Sequence, residues 1–352
     1  MSANKGKRQR RGAVLIGLLI SFLSLGYALW VIQWSELWAA LSQANYLWLI
    51  PAFMVIFAVS WVRAFRWRLL MHPTNNVPLR RMYNFVNIGY LYNNILPAKA
   101  GEVIRAYLAG REVDGGIGKA FSTLLIERLL DVLCAVVIML LLLPFTPLPG
   151  WIRLGGIVFG GVAVVAALAL MVLSRYGEHG VTWVWRWVGR IPLVGSPKVE
   201  QLVLNLVHGF GVLANWRVMP GVLLGSALIW GGYALLNYCV LLAFAGMQRS
   251  FVATTTALVA SAFGMVLPSS PGALGVFEAA VIEALAVFGY TRSMAGVYAL
   301  LLHLYTNLVL ILLGLASLAF EGVRFAQLRE QAVPTTEASG GAVDQHPPLP
   351  GV

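Results

Sequence analysis

The sequence predicts an all-α integral membrane protein with about six spanning helices and two re-entrant helical hairpins arranged as an inverted repeat. Three observations carry that expectation: long charge-free apolar runs, basic residues that flank them on one side, and two matching breaks at equivalent places in the two halves. Of the 352 residues, 59% are hydrophobic and 11% charged, against about 45–50% and roughly 25% in a soluble domain. Gly12–Ile32, Val132–Ile152 and Leu154–Ser174 hold no Asp, Glu, Lys or Arg, and Val218–Gln248, Ser250–Phe277 and Ser293–Phe320 are longer runs of the same kind. A helix needs about 20 apolar residues to cross a hydrocarbon core of ~30 Å, so several such runs exclude a water-soluble helical core.

The spans fall at 13–32, 46–64, 120–143, 154–174, 219–245 and 294–320, within one transmembrane domain over 13–322 whose repeats cover 13–143 and 154–320. The basic N-terminal segment, 1–12, precedes an apolar run that ends in Leu29-Trp30-Val31-Ile32. That run is longer than the apolar region of a cleaved signal peptide, which predicts a retained first span. The Pro-, Gly-, Thr- and Ser-rich tail over 333–352 is expected to be disordered, with no soluble domain appended. Trp183, Trp185, Arg186, Trp187 and Arg190 predict a helix lying flat at the headgroup level.

The net charge is +11, but the bases flank spans and are not gathered on a soluble domain, which argues against a nucleic-acid partner. Placing the N-terminus inside puts Arg63, Arg66, Arg68, Arg80, Arg81, Arg175, Arg186, Arg190, Lys198, Arg217, Arg324 and Arg329 inside, and leaves Arg153, Arg249 and Arg292 outside. Basic residues mark cytoplasmic loops, so both termini are expected in the cytoplasm of a plasma (bacterial inner) membrane. Cys134 and Cys239 lie in apolar runs and read as small hydrophobes, with no disulfide, metal or cofactor implied. There is no Walker loop, strand-flanked glycine fingerprint, HExxH or nucleophile with a base, so no enzyme is expected.

Two stretches resist a reading as simple spans. Asn84–Leu96 is broken by Pro97-Ala98-Lys99-Ala100-Gly101-Glu102, and Val252–Leu267 by Pro268-Ser269-Ser270-Pro271-Gly272, before apolar sequence resumes at Ala273–Phe288. Leu96-Pro97-x-x-x-Gly101 matches Leu267-Pro268-x-x-x-Gly272, and an acidic residue follows each, at Glu102 and Glu278. Irregular backbone at membrane depth is tolerated only when buried in protein or lining a wet cavity. Entry of the two hairpins from opposite faces is the arrangement many transporters use to build a midplane site.

A charge inside a span costs about 2.5–3.5 kcal/mol on insertion scales, so each one needs a reason. Glu127 and Asp131 are four apart on one helix face, and Arg128 is placed to pair with Asp131. They either fix helix packing or contact a ligand. Around the first break, Glu102 and Arg105 are spaced for an i, i+3 pair, and Lys99, Arg105 and Arg128 suit a phosphate. The alternative is a solvated loop at the interface. Asn93 and Asn94 could donate to a headgroup or cap the hairpin. At the second break, Ser269, Ser270, Gly272, Gly275 and Glu278 precede or open a helix whose free N–H groups aim at the break. Glu278 is a partner for a cation, a proton carrier or a cap of its own helix. His303 and Asn307 share a face of the last span.

Four of these stretches together resemble a known family. Arg63-Ala-Phe-Arg66-Trp67-Arg68, Asn94-Ile-Leu96-Pro97-Ala-Lys-Ala-Gly101-Glu102-Val-Ile-Arg105, Glu127-Arg128-Leu-Leu-Asp131 and Pro268-Ser-Ser-Pro271-Gly272-Ala-Leu-Gly275-Val-Phe-Glu278 are similar to the signatures of the lysylphosphatidylglycerol synthase transmembrane, flippase-like family. The resemblance covers about residues 13–322. It implies lipid translocation without synthesis, leaving the lipid open, with a lipid-synthesising enzyme encoded separately; Lys99, Arg105 and Arg128 add the expectation of a phosphate-containing headgroup. The candidate binding residues, from the charges and breaks above, are Asn94, Lys99, Glu102, Arg105, Glu127, Arg128, Asp131, Ser269, Ser270, Gly272 and Glu278, with hinges or breaks at Pro97, Gly101, Pro268, Pro271 and Gly275. Two rivals stand beside it: a secondary transporter of a small solute, and an accessory subunit of a lipid or envelope pathway.

Overall fold

The structure, a computed structural model, describes residues 22–27, 29–30, 32–71, 77–96, 99–146, 150–188, 200, 204, 215, 217–265 and 271–322. Among them every regular element is helical. In chain order these are α1 (Trp34–Ser42), α2 (Leu49–Leu70), α3 (Leu79–Ile95), α4 (Ala100–Gly110), α5 (Gly116–Leu142), α6 (Gly150–Val188), α7 (Met219–Leu242), α8 (Phe251–Gly264), α9 (Val276–Ala286) and α10 (Arg292–Glu321). Among the described residues, four segments are long and apolar enough to cross a membrane: Tyr46–Leu70, Gly150–Ala169, Met219–Leu242 and Arg292–Glu321. The helix expected near 120–143 is present as α5 and is equally long, but it carries Glu127, Arg128 and Asp131 in its interior. Of the first expected span, only residues 22–27, 29–30 and 32 are described, and all of these but Ile32 are helical. The 1–12 and 333–352 segments lie outside the described residues.

Side chains set several of the boundaries. Asn45 accepts a hydrogen bond from the Leu47 amide and opens a 3-10 turn that leads into α2. Ser250 and Thr291 do the same for α8 and α10 through the Ala253 and Met294 amides, satisfying donors that a helix start leaves free. Helix α2 runs on to Leu70 and does not stop near 64, because Ala64, Trp67 and Leu70 bury their side chains. Helix α6 also runs past its expected end. Trp183, Trp185, Arg186 and Trp187 continue the helix that starts at Gly150 and do not form a separate flat one, while Arg190 lies outside the described residues. No proline falls between Gly150 and Val188 to end it.

The two broken stretches are two helix pairs, α3–α4 and α8–α9. Each pair packs against itself at a small residue. A Cβ on Gly101 would overlap the Gly89 carbonyl oxygen and lie 2.7 Å from the Asn93 amide nitrogen, and one on Gly264 would lie 3.2 Å from the Ala280 methyl. Small residues let membrane helices approach this closely. Long α10 lies against both pairs. Its C-terminal half meets α3, where a Cβ on Gly314 would sit 2.5 Å from the Leu91 Cβ, and its N-terminal half meets α9 through His303 and Glu278.

Polar contacts fix which end of α10 each pair approaches. Arg81 and Asn84, at the start of α3, hold Glu321 at 3.2 and 2.7 Å, and Arg81 also holds Glu112, just past α4, at 2.6 Å. Both outer ends of the first pair therefore lie at the Glu321 end of α10. At the opposite end, Glu283 of α9 pairs with Arg292 at 3.2 Å, and the Tyr290 hydroxyl donates to the Gln248 carbonyl, just before α8, at 2.5 Å. The second pair thus has its outer ends at the Arg292 end. Near the middle of α10 the breaks come together: Gly272 faces Asn94 and Asn307, and the Lys99 ammonium donates to the Met265 carbonyl at 3.4 Å.

The Gly101 contact is backbone against backbone and cannot relax by a rotamer change. Gly101→Ala is expected to cost about 1–3 kcal/mol through overpacking and to lower the melting temperature of the detergent-solubilised protein followed by tryptophan fluorescence. Gly161→Ala, with nothing within 4 Å of the new methyl, should leave it unchanged or higher. Identical melting temperatures would show that the α3–α4 approach is looser than described.

Candidate functional site

On α2, Arg63 and Arg66 lie three residues apart, and both are buried. On α5, Glu127 and Asp131 lie one turn apart, as their spacing predicts, and face them. Arg63 Nη1 donates to Glu127 Oε1 at 2.5 Å and to Asp131 Oδ2 at 3.3 Å. Arg66 Nη2 donates to Asp131 Oδ1 at 2.8 Å, and its Nη1 reaches Ser226 Oγ on α7 at 3.0 Å. Arg105 arrives from α4 and grips Glu127 with both terminal nitrogens, at 2.9 and 3.2 Å. The expected Glu102–Arg105 pair therefore does not form. The Arg105 guanidinium instead lies 3.8 Å from the centre of the Trp67 ring, whose Nε1 donates to Thr123 Oγ1 at 2.9 Å. A guanidinium suits this place because it forks onto a carboxylate while its flat face stacks on an aromatic ring.

Arg128 completes the group. Its Nη2 lies 2.9 Å from Glu127 and 3.4 Å from Asp131, the second being the i, i+3 pair expected from the sequence. Its Nε is 3.7 Å from Glu102 Oε1. Its side chain is 41% exposed, against 0–5% for the other three arginines. Lys99 stands beside it as the residue before α4, with φ 54 in the left-handed region, and Glu102 and Arg128 are its charged neighbours. The cluster thus has a dry interior of Arg63, Arg66, Arg105, Glu127 and Asp131 and an accessible rim of Lys99, Glu102 and Arg128.

The second break is built differently. Pro271 opens a 3-10 turn over Pro271–Ala273, Gly272 has φ 69, and Gly275 precedes α9 with φ 87. Glu278 is buried. Its Oε2 accepts from the Gly275 amide at 2.7 Å and its Oε1 lies 2.6 Å from His303 Nδ1. It therefore caps its own helix and binds α10 at once. His303 stacks on Phe277 at 4.4 Å between ring centres and pairs with Glu278, not with Asn307. Asn94 donates to the Tyr90 carbonyl at 3.1 Å and turns its oxygen towards Gly272. Gly101 is not a left-handed hinge; it is the contact point inside α4. Pro97, Pro268, Ser269 and Ser270 lie outside the described residues. No grouping of three His, Cys, Asp or Glu side chains suited to a metal occurs among the described residues.

Charge alone places two members of the cluster, Arg63 and Arg66, at the cytoplasmic flank of a span, whereas the structure buries both. The available signal is their i, i+3 spacing among Ala64, Trp67 and Leu70, which puts both arginines on one helix face with apolar neighbours.

Residues 14–314 match the family described as Lysylphosphatidylglycerol synthase TM region. The chain belongs to this family. Among relatives of this membrane region, a UPF0104 membrane protein of Methanothermobacter thermautotrophicus is 24% identical over 89% of this chain and 96% of its own length. A second protein of that name from the same organism is 26% identical over 87% of this chain and 94% of its own. The Glycosyltransferase AglD of Haloferax volcanii is 26% identical over 88% of this chain but only 54% of its own length. No solved structure matches.

Breaking a buried ion pair by removing one partner costs about 3–5 kcal/mol, because a charge is left without compensation. Glu127→Gln removes the charge that four guanidiniums share, so the melting temperature of the purified protein is expected to fall sharply. Glu102→Gln, at the accessible rim, should lower it much less. A comparable loss in the two variants would contradict the division into interior and rim.

Proposed function

We propose that the protein moves a polar-headed lipid between the leaflets of its membrane, the headgroup passing through the junction of the two breaks while the acyl chains stay in the bilayer. The observation that supports this best is the convergence of the α3–α4 and α8–α9 pairs from opposite ends of α10. At 1.5 Å per residue the 30 residues of α10 extend about 45 Å, enough to cross a ~30 Å core, and its middle falls near the bilayer midplane. Each pair then enters from one face and turns back at half depth, as two re-entrant hairpins of opposite sense. In this reading the Glu321 end of α10 is cytoplasmic, both chain termini are cytoplasmic, and the membrane is the plasma membrane.

The rim of Lys99, Glu102 and Arg128 meets the headgroup, with Asn94, Gly272 and Asn307 at the junction. The interior of the arginine–carboxylate cluster holds the rim in place. The protein carries out no bond chemistry in this scheme; it supplies a polar route through an apolar layer. A second reading draws support from the relative named as a glycosyltransferase, about half of which aligns with this chain: a membrane subunit serving an enzyme that acts on a glycolipid.

A leaflet-resolved assay tests the first reading. Purified protein in phosphatidylcholine vesicles should accelerate exchange of acyl-labelled lipid between leaflets, read by membrane-impermeant bleaching of the label. Rates equal to those of protein-free vesicles would count against translocation and leave the subunit reading. The hairpins have their own test. With Cys134 and Cys239 replaced, a cysteine at Asp114 should react with an impermeant maleimide from the cytoplasmic side, and one at Arg249 from the other side. Reaction of both from one side would refute opposite entry.

A further inference from the structure

We infer that the headgroup taken at the Lys99–Arg128 rim carries a dianionic phosphate, a phosphomonoester or a diphosphate ester, in preference to a phosphodiester or a zwitterion. This rests on the lipid reading above and adds the class of headgroup. Within the contact network, Arg63, Arg66, Arg105, Arg128 and Lys99 stand against Glu102, Glu127 and Asp131. Five cations thus meet three carboxylates, an excess of two positive charges. Glu278 is not available to the excess, since it is engaged by the Gly275 amide and His303.

The carboxylates of the interior are crowded with guanidinium nitrogens. Glu127 Oε1 already receives donors from Arg63, Arg105 and Arg128, and its Oε2 receives Arg105. Asp131 is shared by Arg63, Arg66 and Arg128. Despite this, the buried Nε–H groups of Arg63, Arg66 and Arg105 make no hydrogen bond among the described residues, that of Arg128 stands 3.7 Å from Glu102 Oε1, beyond hydrogen-bond reach, and the buried Tyr90 hydroxyl on α3, whose ring lies 5.9 Å from the Arg63 guanidinium, makes none. Unmatched cationic donors in a low-dielectric interior are costly unless an anion joins them. Of the four guanidiniums, Arg128 is the one that can be approached from outside, and it lies next to Lys99.

A phosphomonoester carries about −1.5 to −2 charges near neutral pH with three acceptor oxygens, which matches the excess. A phosphodiester, with one negative charge, leaves one cation unmatched, and a zwitterionic headgroup brings no net charge. The same chemistry would suit a soluble phosphate ester, so the test must separate the two sources.

In phosphatidylcholine vesicles holding the full-length protein, acyl-labelled phosphatidic acid is expected to change leaflet about tenfold faster than acyl-labelled phosphatidylethanolamine, a difference of about 1.4 kcal/mol in barrier, with phosphatidylglycerol between them. Arg128→Gln should bring the ratio close to one, and Glu102→Gln should raise it. The ratio is taken within one preparation, so a partly unfolded variant does not change it. Equal rates for the three lipids with the unmodified protein overturn the headgroup assignment and leave lipid translocation standing. A preference that survives Arg128→Gln overturns its origin in this rim. If no lipid moves faster than in protein-free vesicles, the translocation reading fails and this inference with it. Entry of radiolabelled glycerol 3-phosphate into those vesicles would then identify a soluble phosphate ester as the cargo.

Discussion

The carboxylate of Glu127 is the point on which the arrangement depends. It is fully buried and receives guanidinium donors from α2, from α4 and from its own helix. None of these contacts is local except that of Arg128. Arg63 is 64 residues away and Arg105 is 22, so the carboxylate is stabilised only once three separate helices have assembled. An incomplete set would leave a charge desolvated without compensation, which is among the most expensive defects a protein interior can hold. The interaction therefore specifies one packing of the first hairpin against α2 and α5, over and above whatever stability it adds.

The two breaks carry related backbone devices but different chemistry. Among the described residues, the non-glycine positions with positive φ are Lys99 and Ala273, one in each break. Left-handed backbone costs an L-residue roughly 1–2 kcal/mol, and such strain gathers where the surroundings hold the chain in place for a purpose. Beyond that likeness the halves diverge. The first break borders a crowd of arginines, while the second offers one carboxylate bound to one histidine. Glu102 and Glu278 each follow a break, one and six residues after its glycine, yet the first stands at the cluster's accessible rim and the second is buried as a helix cap.

Much of this order was visible in the residues themselves. The apolar runs gave the helical membrane character, and Pro97 and Pro268 with their following glycines marked where helices had to stop. The i, i+4 spacing of Glu127 and Asp131 placed both on one face, and one face is where they are. What escaped was partner choice over long distance. Charge alone groups Arg63 and Arg66 with the cytoplasmic bases, since a charge near a span end is usually solvated, yet both are buried. Helical spacing matches Arg105 to Glu102, but Glu127 across the interface offers a bidentate, dry site that a local pair at the surface cannot rival. Likewise nothing in the spacing of Glu278 and His303, 25 residues apart on different helices, announces their contact.

Helix α10 touches both hairpins along its length and is fastened at its two extremities, by Arg81 and Asn84 at Glu321 and by Glu283 at Arg292. A rod tied at both ends resists sliding along its own axis, since any piston stroke must stretch one tether as it slackens the other. Tilting about its centre deforms both far less. With Asn307 and Gly272 near that centre, the contact between the two breaks sits at the pivot of any such tilt, where displacement is smallest.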